Sequence, residues 1–350
     1  MDLGIFIPIG NNGWMMSANA PQYMPSFELN RTVAERAEAA GFDFLLSMVK
    51  LRGFGGATQF WDHNLESFTL MAGLAAVTSE IELFASVALP TLHPAMVARM
   101  AATIDDISGG RFGINIVSGW NQSEYAQMNL WPGDWYYEKR YDYATEYVSI
   151  MRELWAEGVS NHRGDYFQMD DCRLSPPPRN GSVPLVCAGQ SDRGMQFCAE
   201  QGDVQFIIGT DDFDVVRSDA SRLLAASEVA GRDVGVYVLF QITMGETDAE
   251  AEQKWQHYRD GADLEAIAFM TGQASLDTAG ATAEKITEMK GAFNLNIGPI
   301  VGSHATVAAR LDEVGAIPGV KGVMCVFDDY PLATAEFGER VMPLLASRAS

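Results

Sequence analysis

The sequence predicts an α/β chain folded as a (β/α)8 TIM barrel, on three observations. Apolar runs of strand length alternate with stretches of helical period along the whole chain, giving about eight strands. Long loops rich in glycine, aromatic and polar residues follow strands, and in a barrel such insertions open on the C-terminal face, where functional groups gather. No composition shift, repeat or low-complexity tract divides the chain, so residues 1–350 read as a single domain.

Each element has its own warrant. Residues 3–9 form an apolar run of strand length. The loop 10–26 is too long for a plain connection and carries Trp14, Met15, Met16 and Tyr23, so it is either a lid over a site or a plug in the core. Residues 27–40 repeat Leu29, Val33, Ala37 and Ala40 at helical spacing, with Ser26 as N-cap and Gly41 as stop. A strand over 42–48 leads into a second long loop, 49–64, with Lys50, Arg52, three glycines, Phe60, Trp61, Asp62 and His63. Residues 66–78 are helical, 81–89 form a strand carrying Ser86, and 93–107 form a helix with Pro94 in its first turn. Gly109 and Gly110 close that helix. The strand 111–117 turns Phe112, Ile114 and Ile116 to one face and Asn115 to the other, and opens into an insertion through Tyr137.

The second half continues the alternation. Residues 139–155 are helical, a hairpin-like excursion surrounds Tyr166 to Met169, and three prolines from Pro176 make a turn. Strands are predicted over 184–188, 204–208, 234–244 and 322–327. Helices are predicted from Ser191 to near Gly202 and over 213–230, 247–259, 305–314 and 333–345. Residues 261–294 show no decisive period.

Composition excludes several classes of function. With 24 basic and 46 acidic residues the formal charge is −22, which argues against nucleic acid and anionic membranes as partners. The four cysteines and five histidines are scattered without metal-ligand spacing, so no transition-metal site is expected. Free thiols suit a reducing compartment. Asp2 stands where a signal peptide would carry base, and no apolar run approaches a membrane span, so a cytoplasmic enzyme is the expectation.

Candidate chemistry comes with alternatives. The Asn115 carboxamide lies in a buried strand and must find partners. It is either a structural residue bonded to backbone or a polar group, such as a hydrogen-bond donor, aimed into a ligand cavity. Gly189-Gln190-Ser191 stands between a strand and a helix, as a phosphate site or a plain N-cap. Arg140 and Tyr141, placed at the start of the helix 139–155, suit an anion through paired guanidinium bonds and a hydroxyl, or are an exposed helix start. There is no Gly-x-Gly-x-x-Gly after the first strand and no Gly-x-Ser-x-Gly elbow. Asp62, Glu66, Asp105, Glu124, Asp328 and Asp329 keep a two-carboxylate barrel hydrolase open.

Ser108-Gly-Gly-Arg-Phe112 followed by a strand and Gly119-Trp120 resembles the bacterial-luciferase-like flavin monooxygenases. Longer strings sharpen the resemblance: Pro8-Ile-Gly-Asn-Asn-Gly-Trp14, Pro21-Gln-Tyr-Met-Pro25, Leu51-Arg-Gly-Phe-Gly-Gly56, Phe60-Trp-Asp-His-Asn-Leu-Glu-Ser67, Trp131-Pro-Gly-Asp134 and Ala188-Gly-Gln-Ser-Asp192. These are similar to the pyrimidine monooxygenases of uracil degradation.

The resemblance implies a luciferase-like TIM barrel that uses FMN, reduced by a separate NADH-dependent flavin reductase, together with O2. It implies opening of uracil or thymine between N3 and C4 to a ureidoacrylate peracid or acid. FMN contacts fall by resemblance on Val49, Lys50, Asn115, Glu124, Arg140, Tyr141 and Ser191, and an oxygen pocket on Met48, Ser86 and Asn115. Ser86 stands where close relatives are expected to carry Thr, which keeps the hydroxyl and drops a methyl. A homo-oligomer is compatible with this reading. The rivals are another two-component flavin oxygenase, on sulfonates or aminopolycarboxylates, the two-carboxylate hydrolase, and a non-catalytic flavin or small-ligand binder.

Overall fold

The computed structural model describes residues 1–277 and 293–348. Strands β1 (Asp2–Ile7), β2 (Phe44–Ser47), β3 (Glu82–Ala88) and β4 (Phe112–Val117) alternate with helices α1 (Phe27–Ala40), α2 (Ser67–Ala75) and α3 (Pro94–Ser108). The insertion after β4 holds a short helix, α4 (Gln122–Ala126), and then the long α5 (Trp135–Glu157). A small antiparallel pair, β5 (Val159–Ser160) and β6 (Cys172–Arg173), makes the excursion around Tyr166. Next come β7 (Leu185–Ala188), α6 (Asp192–Gln201), β8 (Val204–Ile208), α7 (Phe213–Ala230), β9 (Gly235–Gly245), α8 (Asp248–Asp260) and α9 (Leu264–Ala274). The chain closes with β10 (Gly298–Ser303), α10 (His304–Gly315), β11 (Val320–Phe327) and α11 (Tyr330–Arg340).

The strands β1, β2, β3, β4, β7, β8, β9 and β11 pair in parallel in that order and close through β11 onto β1, which is the expected eight-stranded barrel. β10 lies outside the count. Its six residues pair with the upper half of β9, from Phe240 to Gly245, where the shorter β8 has ended. Period alone did not find it, because 298–303 alternates half-buried with buried positions over a glycine-rich run.

The caps explain the helix limits. Ser26 Oγ accepts from Leu29 N at 3.1 Å, and Gly41 and Gly109 end α1 and α3 in left-handed conformations at φ 80° and 76°. Two predictions need correction. Helix α5 begins at Trp135, so Arg140 and Tyr141 lie in its second turn and not at its start. The final stretch is helix only to Arg340 and then breaks into 3-10 turns at Pro343. Within 261–294, α9 occupies the first part, while 278–292 lie outside the described residues.

The barrel lumen is filled by matching small residues to large ones. A side chain at Gly4 or Gly113 would overlap the rings of Phe44 or Phe84, so glycine on one strand makes room for an aromatic on the next. Phe44 stacks on Tyr237 at 4.5 Å and meets Phe84 edge-on at 5.9 Å, sealing the lower lumen. Outside, Phe112 packs on Phe68 of α2.

The Arg111 of the Gly-Gly-Arg motif also works at this lower end. Its guanidinium donates to the carbonyls of Ala75, Thr78, Ile81 and Ser108 at 2.6–3.2 Å. It gathers chain ends that no helix bond satisfies. None of the described helices is long and apolar enough to cross a membrane, and among the described residues no cluster of metal-ligating side chains occurs.

Candidate active site

Above the aromatic seal, the strands' C-terminal ends open into a cavity with about 1180 Å³ of non-atom space, its mouth included. Its floor is Phe6, Ser86, Asn115, Phe206 and Leu239, all inward-facing strand residues. Of the candidates drawn from the sequence, Met48, Val49, Lys50, Ser86, Asn115, Arg140, Tyr141 and Ser191 line this one cavity. Glu124 stands behind Lys50.

The register places Asn115 of β4 opposite Ser86 of β3. Asn115 Nδ2 donates to Ser86 Oγ at 2.7 Å, and Ser86 Oγ donates in turn to the Ser47 carbonyl. Ser67 Oγ accepts from Ser86 N at 2.8 Å and bonds Ser47 Oγ. Because the Ser86 hydroxyl spends its proton on Ser47, it can only accept from the amide, which fixes the amide's orientation. Asn115 Oδ1 is then left buried without a hydrogen-bond partner. The expectation of a donor at Asn115 is thereby refined: one amide N–H is spent on Ser86, and the atom without any partner is the acceptor Oδ1. An orphaned carbonyl oxygen costs about 1–3 kcal/mol unless a ligand N–H or O–H meets it.

The Lys50 ammonium is buried and paired with the Glu124 carboxylate. Leu51 N at 3.1 Å and Asn121 Nδ2 at 3.0 Å hold that carboxylate, and α4 carries it into place. Three rings surround the ammonium, with Phe54 at 4.4 Å and Trp61 and Trp120 at 5.6 Å. The carboxylate and the ring faces stand in for the water that an ammonium so enclosed has lost.

A second corner suits an anion. Ser191 caps α6, accepting from Gly194 N at 3.1 Å. The Tyr141 hydroxyl fills the space above Gly189 and Gly194, and a Cβ at Gly194 would come within 2.6 Å of it. Gly189 also has φ 132°, a conformation that L side chains rarely adopt. Arg140 lies in the same corner, but its fork is already engaged. Nη1 and Nη2 bond Asp277 Oδ2 and Oδ1 at 2.8 and 3.0 Å, with both side chains buried. Asp277 was invisible to sequence reasoning, since it falls in the stretch without a period.

The long loops settle between lid and plug. Trp14 and Trp61 are buried, meet edge-on at 5.0 Å and line the cavity, and Trp61 Nε1 donates to Gly13 O at 2.7 Å. Asn11 and Asn12 donate to the carbonyls of Gln59 and Thr58 at 2.9 and 2.8 Å, stapling one loop to the other. The loop 10–26 is a fixed wall. The two-carboxylate alternative loses its geometry. Glu66 caps α2, Asp105 accepts from Arg179 N, Asp328 accepts from Tyr258, and Asp329 caps α11. Among the described lining residues the one carboxylic acid is Asp277, bound to Arg140.

The model of the luciferase-like monooxygenases matches residues 1–320. The pyrimidine monooxygenase RutA of Escherichia coli O127:H6 is 54% identical over 356 residues, spanning 100% of this chain and 97% of the relative. Among solved structures, the riboflavin lyase RcaE, held with modified FMN and riboflavin, matches with a TM-score of 0.87 at 20% identity, over 99% of this chain and 92% of that one. The EDTA monooxygenase EmoA from Chelativorans sp. BNC1 matches at 0.83 and 20%, over 100% and 94%. At that identity the structures carry the fold, while the full-length relative carries the family. The chain belongs to the luciferase-like monooxygenases, and among them it stands with the pyrimidine monooxygenases.

Proposed function

We propose that the chain is an FMN-dependent pyrimidine monooxygenase. It takes FMN reduced by a separate NADH-dependent reductase and uses O2 to open uracil or thymine between N3 and C4, releasing ureidoacrylate as peracid or acid. Residues 1–350 act as one catalytic domain, working in the cytoplasm where NADH and the reductase are at hand. The observation that carries this reading is the full-length identity to the pyrimidine monooxygenase RutA. The cavity suits the cofactor: apolar aromatic walls for a flat ring, a glycine-lined anion corner for a phosphate, and a buried orphan acceptor on the floor.

Bound reduced flavin would supply the electrons that activate oxygen. The protein's residues do the rest. Ser191 Oγ, Tyr141 and Arg140 hold the phosphate by charge-assisted bonds. Asn115 Oδ1 accepts a ring N–H, and Ser86 keeps the amide from turning. Met48, Ser86 and Asn115 bound the small space where oxygen reacts. Val49 contributes backbone and apolar contact to the ring, and Trp14, Trp61 and Phe54 exclude water. Lys50, tempered by Glu124, sets a positive charge in the wall where the carbonyl oxygen of the pyrimidine gains charge.

The test is product analysis with purified protein, uracil, O2, NADH, FMN and a flavin reductase. Ureidoacrylate should form, and omitting the reductase should stop turnover unless the flavin is reduced chemically. Turnover of sulfonates or aminopolycarboxylates in place of uracil would assign a sibling chemistry. Uracil loss without oxygen would assign hydrolysis.

A further inference from the structure

We propose that Asp277 is a resident anion in the phosphate corner, and that the flavin phosphate binds by displacing it from Arg140. The proposal rests on the FMN reading above. A guanidinium binds a phosphate through two parallel N–H bonds, and the Asp277 carboxylate uses that mode, at 2.8 and 3.0 Å. The remaining reach of Nη1 is spent on Gly119 O at 3.4 Å. Arg140, Asp277, Tyr141 and Ser191 line the same cavity, and the Arg140 guanidinium lies 5.9 Å from the Tyr141 ring, so a phosphate on Tyr141 that reaches Arg140 meets the carboxylate there. Two anions on one buried guanidinium repel strongly where the dielectric is low. One of them must leave.

The geometry says which partner moves. Arg140 projects from the second turn of α5, whose residues Tyr136, Ala144 and Tyr147 are fully buried. Asp277 lies past the end of α9, beside Leu276, which is turned to solvent. The start of α9 is pinned separately: Asp263 accepts from Thr58 N and Oγ1, both at 2.8 Å, and from Ala266 N at 3.2 Å. Asp277 can leave Arg140 by a local shift beyond the end of α9, while the start of that helix stays tied. Met270 of α9 lines the cavity, so the same helix borders the bound ring. A resident carboxylate also weakens the hold on the phosphate, which suits an enzyme whose flavin must come from another protein and go back to it.

The experiment is a fluorescence titration of oxidised FMN and riboflavin against the full chain and its Asp277→Asn and Asp277→Ala variants, with a melting curve for each. Both variants should bind FMN about tenfold tighter and leave riboflavin within about twofold. FMN binding that is unchanged or weaker in the folded variants would overturn the proposal and make Asp277 a positioning residue for Arg140. Arg140→Ala separates the two layers. If it weakens FMN selectively while the Asp277 variants do not tighten it, displacement alone fails. If it weakens both flavins equally, the phosphate lies elsewhere, and displacement falls together with the phosphate's assignment to this corner, while FMN use is decided by the product assay.

Discussion

The two sides of the cavity are built on different principles. The Ser86–Asn115 side is carried by adjacent parallel strands, and the β3–β4 register sets every partner. The Arg140–Ser191 side is assembled from the second turn of α5, the N-terminus of α6 and the residue past α9. A strand ladder holds its side chains against a one-residue slip, because any slip would turn the polar seam outward. An ion pair between separate helices has no such lock, and one anion can replace another on the same guanidinium. The strand side is therefore suited to chemistry that needs a fixed atom, and the helix side to a cofactor that comes and goes.

The comparison breaks first at Asn115. If its oxygen holds a ring N–H, Asn115→Leu should leave the fold intact and slow single-turnover oxidation of uracil by pre-reduced FMN by roughly 10²–10³. A melting curve for the same variant is the control. Near-normal single turnover with a lowered melting point would make the amide a structural strand residue, and the fixed side of the cavity would lose its chemical role.

Arg140 tests the exchangeable side, at a smaller scale. Arg140→Ala removes charge-assisted bonds worth about 1.5–3 kcal/mol, so FMN affinity should fall roughly tenfold or more while riboflavin binding holds. The readout is the ratio of the two dissociation constants. A ratio near one would place the phosphate outside the corner.

Arg111 supplies the contrast from the other end of the barrel. Arg111→Met leaves buried carbonyls at Ala75, Thr78 and Ile81 without their donor. Stability should fall by about 2 kcal/mol or more, read from denaturant midpoints, with the single-turnover rate per folded molecule unchanged. A selective loss of rate would mean that the lower end of the barrel is coupled to the cavity.

The same division explains what the sequence revealed. Asn115 was legible because an amide among Phe112, Ile114 and Ile116 breaks a clear apolar pattern. Ser191 was legible through its glycine-led turn, and the helix caps through Ser26, Gly41 and Gly109. Bonds between distant elements leave no such local mark. The Asp277–Arg140 pair spans 137 positions, and the Thr58–Asp263 staple spans 205. β10 escaped for a different reason: it pairs only with the overhang of β9, so half its face stays partly open and its apolar period is weak. The Asn115 atom that faces the cavity could not be chosen from the sequence either. That choice depends on where Ser86 sends its proton, and Ser47 settles it from a third strand.

The smallest expected effect concerns Ser86, and it sharpens the account of the fixed side. Its hydroxyl does two jobs at once: it accepts from Asn115 and donates to the Ser47 carbonyl. Ser86→Ala removes both bonds and frees the amide to turn, so the single-turnover rate should fall by about threefold to tenfold, one ordinary buried hydrogen bond. Ser86→Thr keeps the hydroxyl and adds a methyl on a residue that already faces the cavity. One methyl of extra packing, on the order of 0.5 kcal/mol, should raise the yield of ureidoacrylate per O2 consumed by about a factor of two. Oxygen uptake measured beside product yield reads both variants. If Ser86→Thr loses rate as Ser86→Ala does, the methyl blocks the oxygen space, and the pocket is shaped around serine. If neither variant changes the rate, the amide is held by the strand alone and the Ser86–Ser47 relay has no part in aiming Asn115.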